Sequence, residues 1–115
     1  MPAPWTDVRV CSTAALAANE MEPGDIVDGV TLVAGDRILV AAPGGSPDNG
    51  IFVCSATPTR ATDANQSAHF ARHRAVKVTA GASNAGRTFR YIGKANPAPD
   101  TDSLLFAAAP VPKTL

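Results

Sequence analysis

Between Pro23 and Gly50 the chain is interrupted by Pro23-Gly24-Asp25, Asp28-Gly29, Ala34-Gly35-Asp36 and the eight residues Pro43 to Gly50. Glycine supplies the positive φ that tight reversals need, proline presets φ, and Asp and Asn fold their side chains back on the backbone. The segments left between these breaks are far shorter than the roughly 12 residues at which a helix becomes stable alone, and they suit strands. Ile26 to Leu32 reads as two β-branched arms around a reversal at Asp28-Gly29. Gly35 and Asp36 form the next turn, and Arg37-Ile38-Leu39-Val40-Ala41 is the strongest strand in the chain. Asn49 and Gly50 close the turn-rich segment, after which Ile51 to Cys54 returns as the second arm of a long-looped hairpin.

The remainder follows the same pattern. Val8 to Cys11 alternates at the period of a half-buried strand, and Ala14 to Glu22 has room for one helical turn before Pro23. Pro58 cannot donate to a ladder, so Thr57 to Thr62 is expected at a sheet edge. Asp63 is the expected N-cap of a short helix reaching Arg74. Ala75 to Thr79 and Thr88 to Ile92 read as a second hairpin, and Leu104 to Phe106 as a last strand. About seven short strands, spaced roughly ten residues apart, predict a mainly β protein: a small single-domain antiparallel barrel or sandwich. A β module over residues 8–108 would carry an N-terminal arm, 1–7, and a C-terminal arm, 109–115. Pro2, Pro4 and Trp5 stiffen one arm and Pro110 and Pro112 the other, which lowers the entropy lost if they dock on a partner.

Several function classes are disfavoured. The chain has 115 residues and a formal net charge of zero, so it lacks the uniform basic field of a nucleic-acid-binding domain. No apolar run approaches the roughly 20 residues of a membrane span, and the first residues lack a basic-then-apolar secretion signal, so synthesis in a cytoplasm is expected. Cys11 and Cys54 show no zinc spacing; two free buried thiols are the main expectation and a disulfide, within or between subunits, the alternative. His69 and His73 stand four apart without a third ligand, and read as a solvated segment beside Arg72 and Arg74. No catalytic triad, phosphate-binding loop, calcium loop or paired catalytic carboxylates can be assigned, so neither an enzyme, a cofactor nor a bound metal is expected. The charge is nevertheless uneven: residues 1–57 carry −5 and residues 58–115 carry +5. Either the halves intermix in one fold, or an acidic patch meets a basic patch on a neighbouring copy or a larger scaffold.

The run from Asp28-Gly29 through Gly35-Asp36-Arg37 to Val40, followed by Asn49-Gly50-Ile51-Phe52-Val53 and Arg60-Ala61-Thr62-Asp63, resembles a small β module of tailed-bacteriophage virion proteins. Val76-Lys77-Val78, Gly81 and Asn84-Ala85-Gly86 also fit it. The module occurs in tail fibres and in short stand-alone virion proteins. It differs here in having Thr57-Pro58-Thr59 where an aromatic usually precedes Arg-Ala-Thr-Asp, and Phe89 or Tyr91 where Trp is usual. The resemblance implies a structural virion component made in the host bacterial cytoplasm, above all a capsid decoration or cement protein that binds the major capsid protein or other virion subunits and forms a homo-oligomer, a trimer by analogy. It implies as an alternative a tail-fibre or adsorption module that binds a host-surface glycan. Catalytic residues are not implied; Gly29, Gly35, Asn49 and Gly50 are read as turn positions, and Asp36 and Arg37 as a pair across one turn.

Overall fold

The computed structural model describes residues 3–109 and is mainly β. Among the described residues nine short strands run in chain order: β1 (Val10–Ser12), β2 (Ile26–Val27), β3 (Val30–Thr31), β4 (Arg37–Val40), β5 (Gly50–Val53), β6 (Thr59–Arg60), β7 (Ala75–Lys77), β8 (Thr88–Tyr91) and β9 (Phe106–Ala108). They form a four-stranded sheet in the order β1-β4-β5-β6, the hairpin β2-β3, and a three-stranded sheet in the order β7-β8-β9.

The β4-β5 hairpin sets the centre, with Arg37 opposite Val53 and Val40 opposite Gly50. Alternate residues along these strands face opposite ways. Leu39 and Ile51 face one buried cluster, which also takes Cys11, Val76, Val78, Phe89, Tyr91 and Phe106. Ile38, Val40 and Cys54 face a second cluster, closed by Met21, Val27 and Leu32. The three-stranded sheet thus covers one face of the four-stranded sheet, while residues of the 16–32 segment, including the β2-β3 hairpin, cover the other.

Expectation and structure part in several places. Strand β1 pairs β4 in parallel, Val10 with Ile38 and Ser12 with Val40, so the sheets are not wholly antiparallel. The N-terminal segment is a stitch between both sheets. Val8 donates its N–H to Lys77 and accepts from Thr79, whereas Arg9 donates to Arg37 across the corner. The connection from Ser12 to Arg37, which carries β2 and β3, is long enough for the crossover that a parallel pair needs.

Trp5, expected in a docking arm, belongs to the core at 2% exposure. Its Nε1 donates to the Asp63 carbonyl at 2.8 Å, its ring meets Phe70 edge-on at 5.6 Å, and the Arg74 guanidinium lies 4.6 Å from its centre. A chain with six aromatics has no other indole with which to fill this corner. Pro4 is exposed, and Pro2, Pro110 and Pro112 lie outside the described residues.

The helix expected from Asp63 to Arg74 shrinks to a single 3-10 turn, Ser67–His69. Asp63 does not cap it, because its carboxylate is engaged by Arg37. His69 Nδ1 takes over the turn, accepting the N–H groups of Asn65 and Gln66 at 3.1 and 3.2 Å. His73 is exposed and has a positive φ of 71°, so the two imidazoles do not share a helix face. Finally, the last strand begins at Phe106, two residues later than expected, because Leu104 bridges to Ser46 instead.

Other expectations hold. Asp28 and Gly29 have φ of 46° and 79°, as a two-residue hairpin turn between right-twisted strands requires. Gly35 has a φ of 92°, β6 is the edge strand, and Ala14 to Glu22 holds one 3-10 turn, Ala18–Glu20.

Candidate functional site

The residues that carried the sequence pattern are brought together, though in different pairs from those expected. Asp36 and Arg37 do not bond each other. Asp36 accepts from Arg9 Nη1 at 2.6 Å and from the Val33 N–H at 2.9 Å, closing its own turn and tying it to β1. Arg37 reaches across the molecule: Nη1 and Nη2 each meet one oxygen of Asp63, at 3.0 and 3.1 Å, and Nε and Nη2 also donate to the carbonyls of Asp7 and Thr6. Adjacent residues of an extended strand point to opposite sides, which rules out the local pair and permits both distant ones.

A second knot joins Asn49-Gly50 to Arg60. The Asn49 side chain is buried; its Oδ1 accepts from Ala42, and its Nδ2 donates to the carbonyls of Ala42 and Leu104. Arg60 donates from Nη1 to the Asn49 carbonyl at 2.8 Å, from Nη2 to the Pro47 carbonyl at 2.7 Å, and from Nε and Nη2 to Asp100. Only 8% of the Arg60 side chain is exposed, and its guanidinium lies 4.8 Å from the Phe52 ring centre. At Gly50, where φ is 135°, a Cβ would stand 2.5 Å from Arg60 Nη1, so glycine is required on two counts. A third knot ties the Asp28 carboxylate to the N–H groups of Ser83 and Asn84, and Gly81 leaves the room that carboxylate occupies. Arg60 and Asp28 as long-range ties were beyond local sequence reasoning, since their partners lie up to 56 residues away.

The surface beside the second knot is an open groove. One depression of about 420 Å³ is lined by Phe52, Pro58, Thr59, Arg60, Asn65 and Asp100. A second of about 240 Å³ shares Phe52, Pro58 and Asp100 and extends to Leu16 and Met21. Asp100 lines both depressions and already accepts from Arg60, and Asp48 lines the second. Among the described residues, no three His, Cys, Asp or Glu side chains gather as a metal site. No helix among them is long and apolar enough to cross a membrane.

Cys11 and Cys54 are both free and buried. They belong to different clusters on opposite faces of the four-stranded sheet, so the alternative of an internal disulfide is not realised. Burial pushes the Cys11 thiol up to about 12, with Asp28 raising it further and Arg87 opposing. Burial likewise raises Cys54, reinforced by Asp36, Asp25 and Glu22. Both are protonated, poor nucleophiles at neutral pH.

No family model matches the chain, and comparison with curated proteins and with solved structures gives no significant match.

Proposed function

We propose that this protein is a non-enzymatic structural component of a tailed-phage virion, a capsid decoration or cement protein that bridges neighbouring subunits of an assembled head. The observation that supports this reading best is the use made of the polar residues in its turns and strand ends. Asp28, Asp36, Arg37, Asn49, Arg60 and Asp63 are all spent on tying one loop or strand to another. Residues consumed in this way hold a shape and leave the outer surfaces for docking. We read the two facing sheets as a small sandwich suited to that task, and the major capsid protein as the partner. Shells assembled with and without the protein are expected to differ in resistance to heat and osmotic shock, and bound copies should be countable on the particle. Equal resistance with no bound copies refutes the reading.

A second reading is favoured by the groove at Phe52. An aromatic ring flanked by the planar polar groups of Asn65, Arg60 and Asp100 is the equipment of a glycan-binding surface in a tail-fibre or adsorption module. Arg60 already lies over that ring, which leaves less of it for a sugar. A glycan array probed with the purified chain, and lost on Phe52→Ala, would favour it over the first.

A further inference from the structure

We infer that copies of this chain join head to tail, the outer face of the β2-β3 hairpin of one copy seated on the outer face of the β7-β8-β9 sheet of the next. This deepens the structural reading above, because it names a second copy as one of the partners.

The hairpin face has the make-up of an interface. Ile26 and Val33, at 69% and 55% exposure, are the exposed large hydrophobic residues among those described. Ile26 pairs with Thr31 on the outside, while Val27 turns into the second cluster and Val30 packs against it. Asp25 is tied beside it, its carbonyl accepting from the Leu32 N–H, and Glu20 and Glu22 precede it in the same loop. From residue 10 to residue 36 the chain contains five acidic residues and no basic one. An apolar centre with a charged rim is how docking surfaces are built.

The opposite layer has the complementary character. From residue 64 to residue 99 the chain contains six Lys or Arg and no Asp or Glu. Arg74 is engaged by Trp5 and by the carbonyls of Ala3 and His69, and Lys94 by Asp102. Arg72, Lys77, Arg87 and Arg90 are exposed, and none makes an ion pair among the described residues. Val76, Phe89 and Tyr91 point into the core, so Lys77 and Arg90 point out. Arg90 is flanked in register by Ala75 on β7 and Ala107 on β9, a floor of small side chains able to receive Ile26 and Val33.

The two surfaces cover opposite faces of the four-stranded sheet, so one copy cannot satisfy itself. Because the patches are complementary but not alike, the contact is heterologous and propagates around a ring or along a stack.

Sedimentation of the full chain tests this. Association that rises with protein concentration is expected, weakened at least about tenfold between about 50 mM and about 500 mM salt. Lys77→Glu with Arg90→Glu, or Glu20→Lys with Glu22→Lys, should each abolish it, and an equimolar mixture of the two variants should restore it, since each then offers the other an opposite charge. Unchanged circular dichroism would confirm that both variants fold. A wild-type chain that stays monomeric at low salt, or association that survives both reversals, overturns the inference. Counting copies on shells separates the two proposals: variants that do not self-associate yet still decorate shells leave the head-binding role standing, and self-association without shell binding removes that role alone.

Discussion

Arg37 holds both carboxylate oxygens of Asp63, at 3.0 and 3.1 Å, across 26 residues of chain. The pair fastens the start of β4 to the loop after β6. That loop also receives the Trp5 indole at the Asp63 carbonyl. With both side chains partly exposed, the Coulomb attraction is screened and the geometry matters more than the charge. A double-mutant cycle with Arg37→Lys and Asp63→Asn is expected to give a coupling of about 1 kcal/mol in urea unfolding. A coupling indistinguishable from zero would show that the bidentate contact contributes nothing.

Arg60 should be far less forgiving. Arg60→Ala strips the Asn49 and Pro47 carbonyls of their donor and uncovers Phe52, a loss of about 2–3 kcal/mol by the usual cost of unsatisfied buried groups. Gly50→Ala is expected to be about as costly, because the new Cβ collides with Arg60 Nη1 and its φ of 135° strains any other residue. The two should fall well short of additive when combined, since removing the guanidinium removes the collision. Thermal unfolding of the three variants measures this directly.

Trp5→Ala is expected to destabilise by about 3–5 kcal/mol, the range for a large aromatic lost from a core. Deleting residues 1–7 should cost at least as much, because Trp5 also packs 6.0 Å from Phe106 and so joins the N-terminal segment to the last strand. Loss of the melting transition, or a drop of many degrees, is the predicted result. A truncated chain that melts like the full one would place the indole outside the cooperative core.

The buried thiols set an alkaline limit. An unfolded cysteine ionises near pH 8.5, whereas Cys11 in the fold stays protonated to about 12. Between those values the folded chain binds more protons than the unfolded one. Stability therefore falls as pH rises, by at most about 1.4 kcal/mol per unit for this group, and this contribution is flat below about pH 8. Cys54, raised for the same reason, acts in the same direction. Denaturant midpoints at pH 8 and pH 10.5 should separate clearly, and Cys11→Ala should narrow the gap. An unaltered gap in the variant would exclude the thiol as its source.

The short-range part of this architecture was readable from the residues. Asp28-Gly29 and Gly35 announce reversals through backbone preferences that act within two residues, and the alternation in β4, β5, β7 and β8 reports burial on one face. Lengths and partners were less accessible. Asp63 looks like a helix cap until Arg37 is known to lie beside it, and Trp5 looks like part of an arm until Phe70 and Phe106 are known to surround it. The parallel pairing of β1 has no local signature either, because it depends on Val8 bridging to Val78. In the groove, Phe52 and Pro58 are near neighbours in sequence, whereas Asp100 arrives from a distant loop.

That bridge from Val8 to Val78, with Trp5 bonded to Ala75, also governs when the molecule can become itself. Trp5 and Val8 find their neighbours only after about seventy more residues have been made, and such distant pairings are slow to form. The central hairpin can close early, but the corner holding the indole waits for β7. Closure of that corner, rather than of the hairpin, should thus be the event that commits the fold.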